Sequence, residues 1–113
     1  MFNITELTLG DKLFLWRRRM GFSQDAVAAR FEVCSSTYRL WEKDRMKPKG
    51  KVDVRVNIED VTEPEFCALI RRKHGVTQGQ LAKELDVSRQ WVNYMEFGKE
   101  KHDRLVKYWN NKI

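Results

Sequence analysis

Cysteine is scarce in this chain, and the two present, Cys34 and Cys67, lie far apart. There is no Cys-x-x-Cys spacing, and His74 and His102 do not stand near either thiol at ligand-like intervals. No zinc site is expected, nor any other metal. Both thiols fall on helical faces or ends of the pattern described below, which favours buried free cysteines over a disulfide. Long apolar runs are also missing. None approaches the roughly 18–20 residues of a membrane span, so no membrane association is expected. Residues 1–6 lack a basic stretch followed by a long apolar one. A secretory leader is therefore not expected, and a cytoplasmic, nucleoid-associated location is. Paired carboxylates, a nucleophile–base arrangement and a phosphate-cradling glycine loop are all wanting. An enzyme with a cofactor or small-molecule substrate is not expected.

What the chain does have is apolar patterning and positive charge. Hydrophobic residues make up 42% and charged residues 34%, enough of the former to fold. Its 113 residues allow one compact domain or two very small ones. The net charge is +6, which attracts phosphate-rich partners. Residues 1–56 hold 12 basic and 7 acidic side chains, and residues 57–113 hold 10 and 9. The first half should carry more of any non-specific phosphate attraction.

The chain repeats itself. Gly21-Phe22-Ser23-Gln24 recurs as Gly75-Val76-Thr77-Gln78, an offset of 54 residues. In the same register Leu15 falls on Leu69, Arg17-Arg18 on Arg71-Arg72, and Arg19 on Lys73. Val27-Ala28 falls on Leu81-Ala82, Phe31 on Leu85, Val33 on Val87, and Glu42 on Glu96. Such a repeat marks two copies of one supersecondary unit. Each copy reads as three helices. The first helices cover about 9–20 and 63–74, capped by Thr8 and Thr62, with Pro64 in the first turn. Gly21 and Gly75 end them. The second helices, capped by Ser23 and Thr77, bury Val27-Ala28-Phe31 and Leu81-Ala82-Leu85. Ala28 and Ala82 let the third helix cross closely. The third helices cover about 35–43 and 89–97 and bury Tyr38 with Trp41 and Val92 with Met95.

The run Thr77-Gln78-Gly79-Gln80-Leu81-Ala82-Lys83-Glu84-Leu85-Asp86-Val87-Ser88-Arg89-Gln90, continued by Val92, Met95-Glu96 and Gly98-Lys99, resembles the phage-repressor (Cro/XRE-type) helix-turn-helix family. Phe22 to Ala28, with Tyr38, Trp41-Glu42 and Pro48, is similar but looser. Where such proteins commonly place Gly at the turn, this chain has Glu32 and Asp86. Where Ser or Thr usually caps the third helix, the copies have Cys34 and Ser88. The resemblance implies an ion pair between the first and third helices, here Arg17 with Glu42 and Arg71 with Glu96. It also implies a protein of phages, plasmids or other mobile elements.

A helix-turn-helix places the start of its third helix in the major groove. The outward positions there are Ser35, Ser36 and Arg39 in the first copy, and Arg89, Gln90, Asn93 and Tyr94 in the second. Arg can grip guanine, and Gln or Asn can grip adenine, with two bonds each. The second copy has the richer base-reading chemistry. Gln24 and Gln78, at the starts of the second helices, are candidate phosphate contacts. So are Arg45, Lys47 and Lys49 after the first third helix, and Lys99 and Lys101 after the second.

Residues 51–58 alternate strictly between polar and apolar, a strand signature with one buried face. A strand needs a partner, either residues 2–5 or its twin in a dimer. Residues 102–113 read as a last amphipathic helix that covers the core or forms a dimer contact. Trp91 could pack inside, meet a thymine methyl or serve a protein interface. The expected fold is thus mainly α: a helix-turn-helix unit at 1–50, a strand-like linker at 51–61, and a second unit with a C-terminal helix at 62–113. The expected function is sequence-specific binding of double-stranded DNA, as a homodimeric repressor of a phage or mobile-element promoter. The alternative is an interaction protein, an antitoxin or phage-encoded inhibitor, that uses one unit to bind a protein.

Overall fold

The computed structural model describes residues 5–112. It divides into two compact units, one running through Asp60 and the other beginning at Val61. The first holds α1 (Leu9–Met20), α2 (Gln24–Arg30), α3 (Ser35–Glu42) and a short 3₁₀ turn at Ile58–Asp60. The second holds α4 (Glu63–Lys73), α5 (Gln78–Leu85), α6 (Arg89–Glu96) and α7 (Asp103–Lys112).

The helix starts follow from their caps. The Thr8 hydroxyl accepts from the Asp11 N–H at 3.1 Å, and the Asp11 carboxylate accepts from the Thr8 N–H at 3.1 Å. Thr62 with Glu65 and Thr77 with Gln80 build the same reciprocal box on α4 and α5. Ser23 and Ser88 each accept one N–H of the first turn they precede. Cys34 opens α3 without such a bond.

The turns repeat as faithfully as the helices. Backbone with positive φ occurs at Gly21 (75°) and Gly75 (68°), at Glu32 (56°) and Asp86 (57°), and at Asp44 (57°) and Gly98 (72°). Each pair lies 54 residues apart. Left-handed backbone costs a residue with a Cβ about 1–2 kcal/mol, and Asp tolerates it better than Glu. The tight corner between α2 and α3 is therefore more strained at Glu32 than its counterpart at Asp86. It closes with the Val33 N–H donating to Ala28 O at 3.0 Å, matched by Val87 N–H to Ala82 O at 3.0 Å.

At the third corner the copies solve one problem differently. The Asp44 carboxylate accepts from the Gly10 N–H at 2.9 Å and from the Thr8 hydroxyl at 2.5 Å, capping α1 from the end of α3. A Cβ on Gly10 would stand 2.4 Å from the Glu42 carbonyl oxygen, so only glycine fits this approach. In the second copy the matching residues are Pro64, which has no N–H to offer, and Gly98, which has no carboxylate. The two changes go together.

The core of the first unit gathers Leu13, Val27, Ala28, Tyr38 and Trp41, flanked by Trp16, Phe22 and Phe31. In the second unit Cys67, Leu69, Leu81, Ala82, Val92 and Met95 are buried. Helix α7 packs against α4 and buries Leu105 and Trp109, with the Trp109 ring 5.2 Å from that of His74. It is thus a cover for its own unit.

The structure corrects two expectations. Residues 51–57 carry no strand, and the described residues contain no sheet, so helices supply all the regular secondary structure described. The polar–apolar alternation is real: Lys51, Asp53 and Arg55 are exposed, Val56 is buried, and Val52 and Val54 pack on the core of the first unit. An extended chain laid against helices satisfies that pattern without a ladder of backbone hydrogen bonds. Most of the proposed pairing partner, residues 2–4, lies outside the described residues. The second correction concerns Cys34, which is exposed, while Cys67 is buried.

Candidate nucleic-acid interface

In each unit a first-helix arginine reaches the last carboxylate of the third helix. Arg17 Nε donates to Glu42 Oε2 at 2.6 Å and Nη2 to Oε1 at 3.3 Å. Arg71 repeats this on Glu96 at 2.6 and 3.1 Å. The remaining guanidinium nitrogen donates to the carbonyl after the turn, Phe22 O at 3.2 Å and Val76 O at 3.1 Å. Glu42 and Glu96 are only 2% and 1% exposed, so both charges depend on these donors. Each pair ties the first helix, the turn and the third helix into one rigid frame.

The two glutamines join the same network. Gln24 Nε2 donates to Glu42 Oε1 at 3.0 Å, and Gln78 Nε2 to Glu96 Oε1 at 3.0 Å. Their amides are held inward, on the carboxylates. From each glutamine the network also reaches the outer face of the third helix. Gln24 Oε1 accepts from Arg39 Nε at 3.2 Å, and Gln78 Nε2 also donates to Asn93 Oδ1 at 3.3 Å. Arg39 and Asn93 are matching positions in the repeat. In the first unit the Tyr38 hydroxyl adds a further donor to Glu42 at 2.5 Å, where the second unit has Val92. Burial and the adjacent Glu42 push that hydroxyl well above the usual phenol range, so it remains a donor.

On the outward face of α6 Arg89 and Gln90 are exposed and Asn93 and Tyr94 half-buried. Gln90 Nε2 donates to the Tyr94 hydroxyl at 2.6 Å, which joins two of the predicted reading residues into one group. Trp91 is 40% exposed on the same helix, and Phe97, at its end, is 46% exposed. Trp91 therefore does not pack inside.

The face of α3 is arranged otherwise. The Ser35 hydroxyl donates to Asp25 Oδ1 at 2.5 Å, and Arg39 Nη2 lies 3.8 Å from the same oxygen. Ser36 Oγ is 3.2 Å from Cys34 Sγ, and Thr37 Oγ1 is 3.0 Å from it. These hydroxyl contacts lower the Cys34 thiol to about 7. All three predicted reading residues of the first unit thus have partners within the protein. Asp25 did not emerge from the sequence reading. Its signal was present in the repeat register, where it falls on Gly79.

The predicted backbone-gripping cations lie outside the network. Arg45, Lys47 and Lys49 are exposed on the chain that follows α3, and Lys99 and Lys101 are exposed between α6 and α7. Among the described residues no cluster of three or more His, Cys, Asp or Glu could hold a metal ion. No described helix is long and apolar enough to cross a membrane. No protein-family model matches the chain, and comparison with curated proteins and with solved structures yields no match either.

Proposed function

We propose that this chain is a sequence-specific double-stranded DNA-binding regulator, acting as a homodimeric repressor of a phage or mobile-element promoter in the bacterial nucleoid. The observation that carries the reading is the fixed third helix. In both copies a buried Arg–Glu–Gln network anchors the inner side of that helix. A left-handed corner at Glu32 or Asp86 sets its entry. What remains outward on α6 is a polar row of Arg, Gln and Asn, the side chains that match base edges in a major groove. Exposed Arg45, Lys47, Lys49, Lys99 and Lys101 fit a supporting role on phosphates. The reading assigns the chain no catalytic step.

Footprinting the purified protein on DNA upstream of its own gene tests the proposal. Protection that weakens steeply with added salt is expected. No salt-sensitive binding to that DNA or to any other duplex would end it.

Trp91 and Phe97 favour a second reading, in which α6 docks on a protein as in an antitoxin or phage-encoded inhibitor. The pair of substitutions Arg89→Ala and Asn93→Ala separates the two. Abolished duplex binding supports DNA reading. Retained duplex binding with loss of a protein partner supports the alternative.

A further inference from the structure

We propose that Asp25 is a specificity-determining residue that holds the first unit's third helix out of base reading, so that discrimination between sequences comes from α6 alone. This rests on the duplex-binding reading above.

The two reading edges are built on the same frame but carry different side chains, and the first adds an acidic one, Asp25. Asp25 stands on the outer side of α2, with its side chain 73% exposed. One of its carboxylate oxygens accepts the Ser35 hydroxyl and faces the Arg39 guanidinium. For Arg39 to grip a guanine with both terminal nitrogens it must turn Nη2 away from Asp25, 3.8 Å off, while its Nε bond to Gln24 can persist. Asp25 would then stand uncompensated beside the duplex, which carries one negative charge about every 1.7 Å along its axis. For Ser35 to donate to a base it must give up the same carboxylate. An exposed ion pair contributes little to folding. Its effect here is on the partner: the Asp25–Arg39 pair carries no net charge, and the Ser35 hydroxyl and the Arg39 Nε are already engaged.

In the second unit the matching residue is Gly79. No carboxylate competes there for Arg89, which takes the place of Ser35. Asn93, which takes the place of Arg39, is held through its carbonyl oxygen by Gln78 at 3.3 Å, an arrangement that leaves its amide nitrogen as a donor for a base. Sequence-independent attraction remains with both units, because the flanking cations are exposed in each.

The test uses the full chain and a pool of randomised duplexes, from which the unaltered protein enriches a preferred sequence. Affinities are then compared for the preferred duplex and the unselected pool. Replacing Arg89 and Asn93 by Ala should reduce discrimination by roughly 5- to 150-fold for each base-reading side chain removed. Replacing Ser35 and Arg39 by Ala should change discrimination less than about threefold, because groups that meet only the phosphate backbone carry no sequence information. Asp25→Ala should tighten binding to the unselected pool and steepen its dependence on salt by about 0.9 in the logarithmic slope, as Arg39 gains a phosphate. Three results would overturn the inference. One is an Asp25→Ala protein with unaltered affinity and slope. Another is a Ser35/Arg39 variant that loses discrimination as fully as the Arg89/Asn93 variant. The third is an Asp25→Ala protein that loses recognition at a cytosine, which would make Asp25 itself a reader. If the unaltered protein enriches no duplex at all, the function reading falls, and this inference with it.

Discussion

Replacing Arg71 by Met should cost the second unit about 3–5 kcal/mol, the usual result of stripping the partner from a buried charge. The magnitude follows from the surroundings of Glu96. Its carboxylate is 1% exposed and takes the guanidinium at 2.6 and 3.1 Å, with the Gln78 amide at 3.0 Å. Without Arg71 the amide must support the charge, and the Val76 carbonyl also loses its donor. A folded region of some 50 residues has a stability of only about 3–8 kcal/mol, so most of it would go. Pairing Arg71→Met with Glu96→Leu should recover to within about 1–2 kcal/mol of the parent, because an apolar pair has no charge to desolvate. The cycle should therefore show a coupling of at least about 2 kcal/mol. Amide hydrogen exchange in urea reads the two units separately and is the assay of choice. The first unit supplies an internal control. Glu42 keeps the Tyr38 hydroxyl as an added donor, so Arg17→Met should cost less than Arg71→Met by about 1.5–3 kcal/mol, the value of a hydrogen bond to a charged group. If Arg71→Met costs less than about 1 kcal/mol, or the cycle shows no coupling, the pair behaves as a surface contact and the rigid frame argued for the third helix is wrong.

Three further outcomes are expected. Gly10→Ala should destabilise the first unit by about 1–3 kcal/mol in a urea titration, because its Cβ meets backbone that has little room to move. Glu32→Gly should raise stability by about 0.5–1 kcal/mol in the same assay, since relief of the left-handed strain exceeds the added freedom of the unfolded chain. A thiol reagent at neutral pH should label Cys34 alone, with a rate that rises through pH 7 as the thiolate forms. Burial holds the Cys67 thiol at about 12, so Cys34→Ser should abolish labelling of the folded protein.

Much of the frame could be read from the residues because its signals are local or repeated. Gly21 and Gly75 sit where a helix must stop. Thr8, Thr62 and Thr77 stand three residues before a side chain that completes a cap. Arg17 and Glu42 recur as Arg71 and Glu96 in one register, and the structure places each pair in contact. The alternation at 51–58 misled for a physical reason. A period of two reports that an extended chain buries one side, and Val52 and Val54 do so on helices. It does not report whether a second strand supplies hydrogen bonds. The bonds of Asp25 to Ser35 and of Asp44 to Gly10 depend on how α1, α2 and α3 approach one another, and no spacing within a single helix encodes them. Tyr38 and Glu42 do stand one turn apart on α3, but Tyr38 also fits the buried apolar stripe of that helix, which masks the bond. The contrast between the copies does carry a trace of each, since Asp25, Tyr38 and Asp44 all fall on residues that lack the polar group.

The exchange of Gly10 and Asp44 for Pro64 and Gly98 bears on how such a chain can diverge after duplication. Neither copy can adopt the other's solution by a single substitution. Proline at position 10 would take away the hydrogen that Asp44 receives, and glycine at position 44 would leave the Gly10 hydrogen and the Thr8 hydroxyl with water alone. Each half is therefore confined to its own lineage of compatible pairs. A chimera spliced between α1 and the end of α3 would inherit a mismatch at that seam.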